Sequence, residues 1–543
     1  MKRRLLLLAI YSLSCLTLNA QPPKQQRPKL VIGLVFDQMR WDYLYRYYDR
    51  YTSGGFRRLM DNGFRCENTF INYLPSYTAP GHSCIYTGSV PAIHGIAAND
   101  WLDIPTNHYT YCTDDATVTS IGGSAKAGMM SPRNLRANTI TDELRLATNM
   151  RSRVYGIALK DRSCILPAGH LANGAFWFDD STGNFITSSY YGNALPAWVT
   201  AFNNRRVADS LIAQPWELSY PLNTYTQSLP DANPYEGPFP GEKQSVFPHK
   251  MAKDAKAGYN ILRYAPAGNT LTLLMAQACI QAENIGQGSN TDFLCLSFSS
   301  TDYAGHRFAP NSVEVEDMFL KLDKELAAFL TYIDKTVGEG NYTIFLTADH
   351  GGAHNQQYMQ DINIPAGTFD YETLLPQLNQ HLLNTFGKDS LALRMVNYQV
   401  YLNEKNIHTH HLDHEAISKA ATTWLQQQPA VAWAVDMNEI AEATLPEPLK
   451  TMCINGYNRT RSGSIQIILH PAYYEGHHKT GTTHGTWNPY DTHIPLLWYG
   501  YGINKGRTHR TTHMTDISAT LAALLHIQMP NGCVGSVIEG VVR

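Results

Sequence analysis

Four apolar runs constrain the fold more than any other feature of this 543-residue sequence: KLVIGLVF (Lys29–Phe36), RVYGIAL (Arg153–Leu159), DFLCLSF (Asp292–Phe298) and YTIFLT (Tyr342–Thr347). Each is a largely continuous apolar run rather than an alternating one, and the first is rich in β-branched residues, the pattern of a strand buried on both faces of a parallel sheet. Helical patterns separate them, at Tyr43–Met60, Thr139–Asn149, Thr270–Asn284 and Ser312–Val337, and a last strand, Ile494–Tyr499, precedes a helix at Thr515–Leu525. This alternation predicts an α/β fold, a mostly parallel central sheet flanked by helices. Two stretches break the rhythm, about 175–249 and about 356–480, and are expected to be α+β insertions in one domain spanning residues 21–543.

The first twenty residues, MKRRLLLLAIYSLSCLTLNA, combine a basic start, a short apolar run and a small residue at the end. That is the pattern of a secretory signal, because about 20 apolar residues are needed to cross a bilayer. Export to the periplasm is expected. Lipid anchoring at Cys15 is a lesser alternative, since Ser12 stands where such sites want an aliphatic residue. No later stretch is apolar for long enough to span a membrane. The chain carries 43 Lys and Arg against 46 Asp and Glu, with no basic tract, so it lacks the electrostatic footprint of a nucleic-acid partner. Eight cysteines follow Cys15 without a CxxC pair, which argues against cysteine zinc sites and leaves any disulfide connectivity open.

Every buried strand stops at polar residues, and in parallel sheets ligands bind at those carboxyl ends. Asp37 follows the first run, Lys160-Asp161-Arg162 the second, Asp302 the third and Asp349-His350-Gly351-Gly352 the fourth. Asp302 and His306 stand four apart, one helical turn, and can share one face. His484 lies in a glycine and threonine loop before the last strand. The stretch LPSYTAPGHSCIYTG starts a helix, with Thr78 suited to the N-cap, Pro80 to the first turn and Gly88 to the stop. Backbone N–H groups at such a start favour an anion. Each feature alone has an ordinary structural explanation; together they form a set of carboxylates and imidazoles able to converge on one hydroxyl. Mixed oxygen and nitrogen ligation suits zinc, and two such ions about 4 Å apart stabilise the entering and leaving oxygens of an in-line phosphoryl displacement.

The motifs VFDQMRWDYL, LPSYTAPGHSCIYTG, HGIAANDW, ALKDRS, STDYAGH, TADHGG and THGTWNPYDTHIPLLWYG together resemble the alkaline phosphatase superfamily, and most closely its periplasmic phosphate-irrepressible alkaline phosphatases with a threonine nucleophile. The resemblance implies a zinc held by Asp37, Asp349 and His350 with Thr78, and a second held by Asp302, His306 and His484. It implies that Thr78 is the catalytic nucleophile, passing through a covalent phosphothreonine. Lys160, Arg162 and Asn99 would bind the phosphoryl oxygens. Lys offers a point charge and Arg a planar donor fork, which suits the dianion of a phosphate monoester. Small-molecule monoesters are therefore the expected substrates, and a monomer is expected. The frame Thr78-Ala79-Pro80-Gly81-His82 lacks the modifiable residue and the arginine of sulfatases. The competing readings are a nucleotide pyrophosphatase/phosphodiesterase of the same superfamily and a non-catalytic binding protein on the same fold. His82 reads as packing or orienting; His354, His477, His478 and His493 as outer neighbours of the site; and the tract His408, His410, His411 and His414 as a solvated face.

Overall fold

The computed structural model describes residues 27–253, 256–477 and 479–543; the expected leader with Cys15, and His478, lie outside them. The strands and helices that place the site are, in chain order, β1 (Leu30–Phe36), β2 (Phe64–Phe70), α1 (Thr78–Thr87), β3 (Val154–Ala158), α2 (Arg162–Ala168), β4 (Gly174–Asp179), β5 (Asn184–Ser188), β6 (Asp292–Phe298), α3 (Ser300–Phe308), α4 (Val313–Ile333), β7 (Tyr342–Thr347) and β8 (His493–Gly500). Together with short edge strands they form an eleven-stranded sheet in the order β2-β8-β7-β1-β6-β3-β4-β5. Strands β7, β1, β6, β3 and β4 run parallel; β8 is antiparallel to β7 and β2, and β5 is antiparallel to β4, while β2 runs parallel to the short edge strands beyond it. The α/β sheet fold is as the sequence predicts.

The register explains why the polar strand ends meet. Val35 pairs with both Ser297 and Thr347, and Ala158 pairs with Ser297, so four neighbouring strands end level with one another. Adjacent strands are about 4.8 Å apart. Asp37, Lys160, Asp302 and Asp349 therefore leave the sheet along one short edge.

Two local readings differ from the structure. The helical pattern of Tyr43–Met60 is broken into Tyr43–Arg46, a 3-10 turn and Phe56–Asn62. The Asp323 carboxylate of α4 accepts from the backbone N–H groups of Thr52 (2.6 Å) and Phe56 (2.7 Å) and so starts the last piece afresh. A Cβ at Gly55 would lie 2.1 Å from that carboxylate, so glycine is required there. Residues 174–188, expected to open an insertion, are instead β4 and β5 of the main sheet. GAFWFD in β4 is buried at every position, and its aromatic residues form a strand that carries no β-branched ones.

The second irregular stretch holds a four-stranded antiparallel sheet of Ala392–Val396, Gln399–Leu402, Ile465–Leu469 and Val431–Asp436. Its helices Tyr371–Phe386 and His414–Leu425 contribute Leu378, Leu382, Ile417 and Ala421 to an apolar core that also takes in Tyr77, the residue before Thr78. The insertion thus packs directly beside α1.

Leu34 sits fully buried on β1 with Leu296 and Leu346 on either side. Leu34→Ala should lower stability by about 3 kcal/mol, read as a fall in the urea midpoint at unchanged slope. Leu393→Ala, on the partly exposed strand of the insertion, should stay within about 0.5 kcal/mol.

Candidate active site

The seven residues expected to hold metal or act as nucleophile come together at this edge. Asp37 is the first residue past β1, Asp302 and His306 share one face of α3, Asp349 and His350 follow β7, and His484 lies in the loop before β8. Two groups have donor atoms within 4.8 Å of one another: Asp302 with His306 and His484, and Asp37 with Asp302 and His350. Asp349 adjoins the second group through Oδ2, 3.4 Å from His350 Nε2. Thr78 Oγ1 is 3.3 Å from the same Nε2.

The three imidazoles share one arrangement. His306 Nδ1 lies 2.9 Å from the Thr482 carbonyl, His350 Nδ1 2.9 Å from the Gly351 carbonyl and His484 Nδ1 2.9 Å from the Ser76 carbonyl. A carbonyl only accepts, so Nδ1 carries a proton in each ring and Nε2 faces the site, the nitrogen a metal would take; in His306 that Nε2 lies 3.1 Å from Asp302 Oδ1. Burial, with His350 and His306 close by, pushes His484 well below the ordinary histidine range and so keeps it neutral. Two carboxylate oxygens, Asp37 Oδ1 and Asp349 Oδ2, are buried with no hydrogen-bond donor. Burial and the neighbouring Asp302 and Asp349 push the Asp37 carboxyl well above its usual range. Buried, crowded anions with unpartnered oxygens, beside imidazoles that turn Nε2 inward, fit divalent cations.

Thr78 is the first residue of α1, and Tyr77, not Thr78, holds the N-cap position. The difference matters chemically: Thr78 Oγ1 is not used up in capping its own helix. Gly88 ends the helix in the left-handed region, at φ 64°. His82 lies one turn on, with Nδ1 2.9 Å from the Thr78 carbonyl and Nε2 2.9 Å from Ser297 Oγ, so it ties the start of α1 to the end of β6.

The expected phosphoryl-binding residues border the same cluster. Lys160 Nζ donates to Asp37 Oδ2 at 2.7 Å and to Asp302 Oδ2 at 2.6 Å. Burial disfavours its charge, but Asp302 and Asp37 outweigh burial and raise its pKa, so the ammonium persists. Asn99 Oδ1 accepts from the Ala79 N–H at 2.9 Å, which leaves its amide N–H groups to donate elsewhere. Arg162 starts α2 and donates from Nη1 to the Tyr111 hydroxyl at 3.0 Å, while Tyr111 donates to Asp161 at 2.6 Å.

Gln38 is a site residue that sequence reasoning missed. Its Nε2 donates to Asp302 Oδ1 at 2.8 Å and its backbone N–H to Asp349 Oδ1 at 3.2 Å, linking the two groups. It does so from a left-handed backbone, φ 62°, which nothing in the residue type announces. Of the histidines set aside, His493 stacks between Trp41 and Phe70, His354 contacts Asn311, and His414 meets Glu404.

A profile of the type I phosphodiesterase / nucleotide pyrophosphatase family matches residues 31–493. A protein of Myroides odoratus named calcium-transporting ATPase is 50% identical over 524 residues, covering 96% of each chain. Alkaline phosphatase PafA of Elizabethkingia meningoseptica is 48% identical, covering 96% of this chain and 95% of that one. A crystal structure of wild-type alkaline phosphatase PafA superposes with a TM-score of 0.93 at 48% identity, over 95% of this chain and 99% of that one.

Gly81 lets α1 lie directly on the end of β7: a Cβ there would come 2.5 Å from the Asp349 carbonyl oxygen and 2.7 Å from its Cβ. Gly81→Ala should weaken divalent-cation binding about tenfold or more in competition with a chromophoric chelator, since donor sets tolerate little displacement. Gly288→Ala, where the added Cβ meets nothing within 4 Å, should leave cation binding unchanged.

Proposed function

The chain belongs to the type I phosphodiesterase / nucleotide pyrophosphatase family, within the alkaline phosphatase superfamily, and from that membership we propose that it is a zinc-dependent phosphomonoesterase of broad leaving-group tolerance. The observation that carries the reading is the uncapped Thr78 hydroxyl, 3.3 Å from His350 Nε2 and beside two Asp/His groups that the Lys160 ammonium bridges. Zinc at Asp37, Asp349 and His350, and at Asp302, His306 and His484, would ease loss of the Thr78 proton and compensate charge on the departing oxygen.

The chain's own residues account for the rest. Thr78 Oγ attacks phosphorus in line, the bond from phosphorus to the ester oxygen breaks, and a phosphothreonine forms as the alcohol leaves. Water then opens the phosphothreonine from the opposite side, giving inorganic phosphate and the free hydroxyl. Two inversions leave the configuration at phosphorus unchanged. Lys160, Arg162 and the free amide of Asn99 supply donors to the non-bridging oxygens, where a loose transition state keeps most of its charge. Asn99 is set by the same Ala79 N–H that begins α1, so the donor and the nucleophile move as one unit. The His82 contacts hold Thr78 against β6 and limit its freedom before attack.

Among the described residues no helix is long and apolar enough to cross a membrane. The leader in residues 1–20 supports release of phosphate in the periplasm, from small-molecule esters. The family description favours a second reading, a phosphodiesterase.

Zinc-loaded protein should turn over an aryl phosphate at least about a hundredfold faster than the matching diester; a preference for the diester selects the second reading. Thr78→Ala should abolish acid-trappable phosphoprotein and lower monoester turnover by about 10³ or more. Lys160→Ala with Arg162→Ala should reduce monoester turnover about a hundredfold more than diester turnover. Equal losses would remove the pair from the phosphoryl group.

A further inference from the structure

One wall of the site carries a charge pattern that the phosphoryl chemistry does not use. A cavity of about 580 Å³ opens beside His306 and His484 and includes Asn99, so it begins where an ester's alcohol would lie. Its remaining lining comes largely from the insertion and from the β-hairpin after Asn99. Asp100, Asp370, Glu372 and Glu475 contribute four carboxylates, and among the described lining residues there is no lysine or arginine. The cations in the surroundings include Arg162 at the phosphoryl end and Arg394, which lies over the Tyr109 ring at 4.7 Å, both acting on Asp100, and Arg307, which lines the adjoining cavity with His306 and Glu475. His306 acts on Glu475 and His477 on Asp370.

Glu475 is the most built of the four. Tyr77 Oη donates to its Oε1 at 3.0 Å, Tyr371 hydrogen-bonds to the same carboxylate, and the Glu475 N–H donates to Tyr398 Oη at 3.2 Å. Two phenols donating into one carboxylate hold it as an acceptor. Glu475 is half-buried, and a cation beside its carboxylate is less screened than the same pair would be in water. Tyr77 stands edge-on to His484, with ring centroids 5.5 Å apart. Tyr77 and Tyr371 thus line the path from His306 and His484 outward, and aromatic faces also attract cations. Glu372 is exposed at the rim.

Resting on the phosphomonoesterase reading, we propose that this cavity is the leaving-group pocket and that Glu475, with Asp370 and Glu372, selects phosphate esters of small alcohols bearing an ammonium group over neutral esters of the same size. The site is then bipolar. Cations meet the phosphoryl dianion at one end, and carboxylates and tyrosine rings meet the ammonium at the other.

The test compares phosphocholine with its uncharged isostere, 3,3-dimethylbutyl phosphate, on zinc-loaded wild type, Glu475→Gln and the double variant Asp370→Asn/Glu372→Gln. Intrinsic differences between the two alcohols cancel when the kcat/KM ratio of the esters is compared across proteins. The ratio should fall about tenfold in Glu475→Gln and several-fold in the double variant, mostly through KM. A merely structural role would lower both esters together and leave the ratio unchanged. The double variant keeps the test open if Glu475→Gln fails to fold. Saturation-transfer NMR supplies a readout free of turnover: choline should give a stronger signal than 3,3-dimethylbutanol on wild type and lose it in the variants. Turnover of both esters with one ratio in every protein, and no choline preference by NMR, overturns the pocket assignment alone. No turnover of either ester by the zinc-loaded wild type overturns the phosphomonoesterase reading and this proposal with it.

Discussion

Three backbone carbonyls decide the chemistry of this site. By accepting from Nδ1 of His306, His350 and His484, the Thr482, Gly351 and Ser76 carbonyls choose the tautomer that presents Nε2 inward. Without them each ring could turn or swap its proton, and the three imidazoles would not direct Nε2 to one place. The carbonyls are positioned by different devices: a strand-end glycine turn, a loop that crosses α3, and the segment just before the α1 cap. The donor geometry is therefore a property of the folded backbone before it is a property of the side chains.

The carboxylates have the opposite problem, since burial and mutual repulsion work against their charge. Lys160 answers it in part by bridging Asp37 and Asp302, and Gln38 adds a neutral donor to Asp302. Burial tends to raise the Asp302 carboxyl, but Lys160 and His306 outweigh it and hold that group well below its usual range. Asp37 keeps an unpartnered oxygen and the higher pKa. Stability and function compete here: a packed interior would avoid such a cluster, and the fold keeps it where four parallel strands end together.

Much of this was readable from residue order alone, for a definite reason. A parallel strand buried on both faces must be apolar along its length, so the point where polarity returns marks the sheet edge, and Asp37, Lys160, Asp302 and Asp349 each stand at or just past such a point. His306 follows from helical spacing. What escaped depends on contacts distant in sequence or on rare backbone angles. Gln38 acts through a positive φ. The Tyr43–Met60 pattern breaks because Asp323, far along the chain, supplies a competing acceptor to Thr52 and Phe56. Aromatic β4 carries none of the β-branched signal of its neighbours. The cavity beside Tyr77 combines the first hundred residues with Asp370, Glu372 and Glu475, a juxtaposition that no local pattern encodes.

The level ends of the parallel strands have a consequence for how the molecule matures. Asp37 leaves the first strand of the sheet, and His484 precedes one of its last, so the donor set closes only when both extremes of the chain are docked on one edge. A partly folded chain holds one or two donors at each place and binds a divalent ion weakly there. Tight retention appears only with the complete sheet, and the free energy of ion capture is then concentrated in the native state. A cation held by the whole donor set therefore requires that β1 and the loop before β8, far apart in the chain, are docked on the same edge.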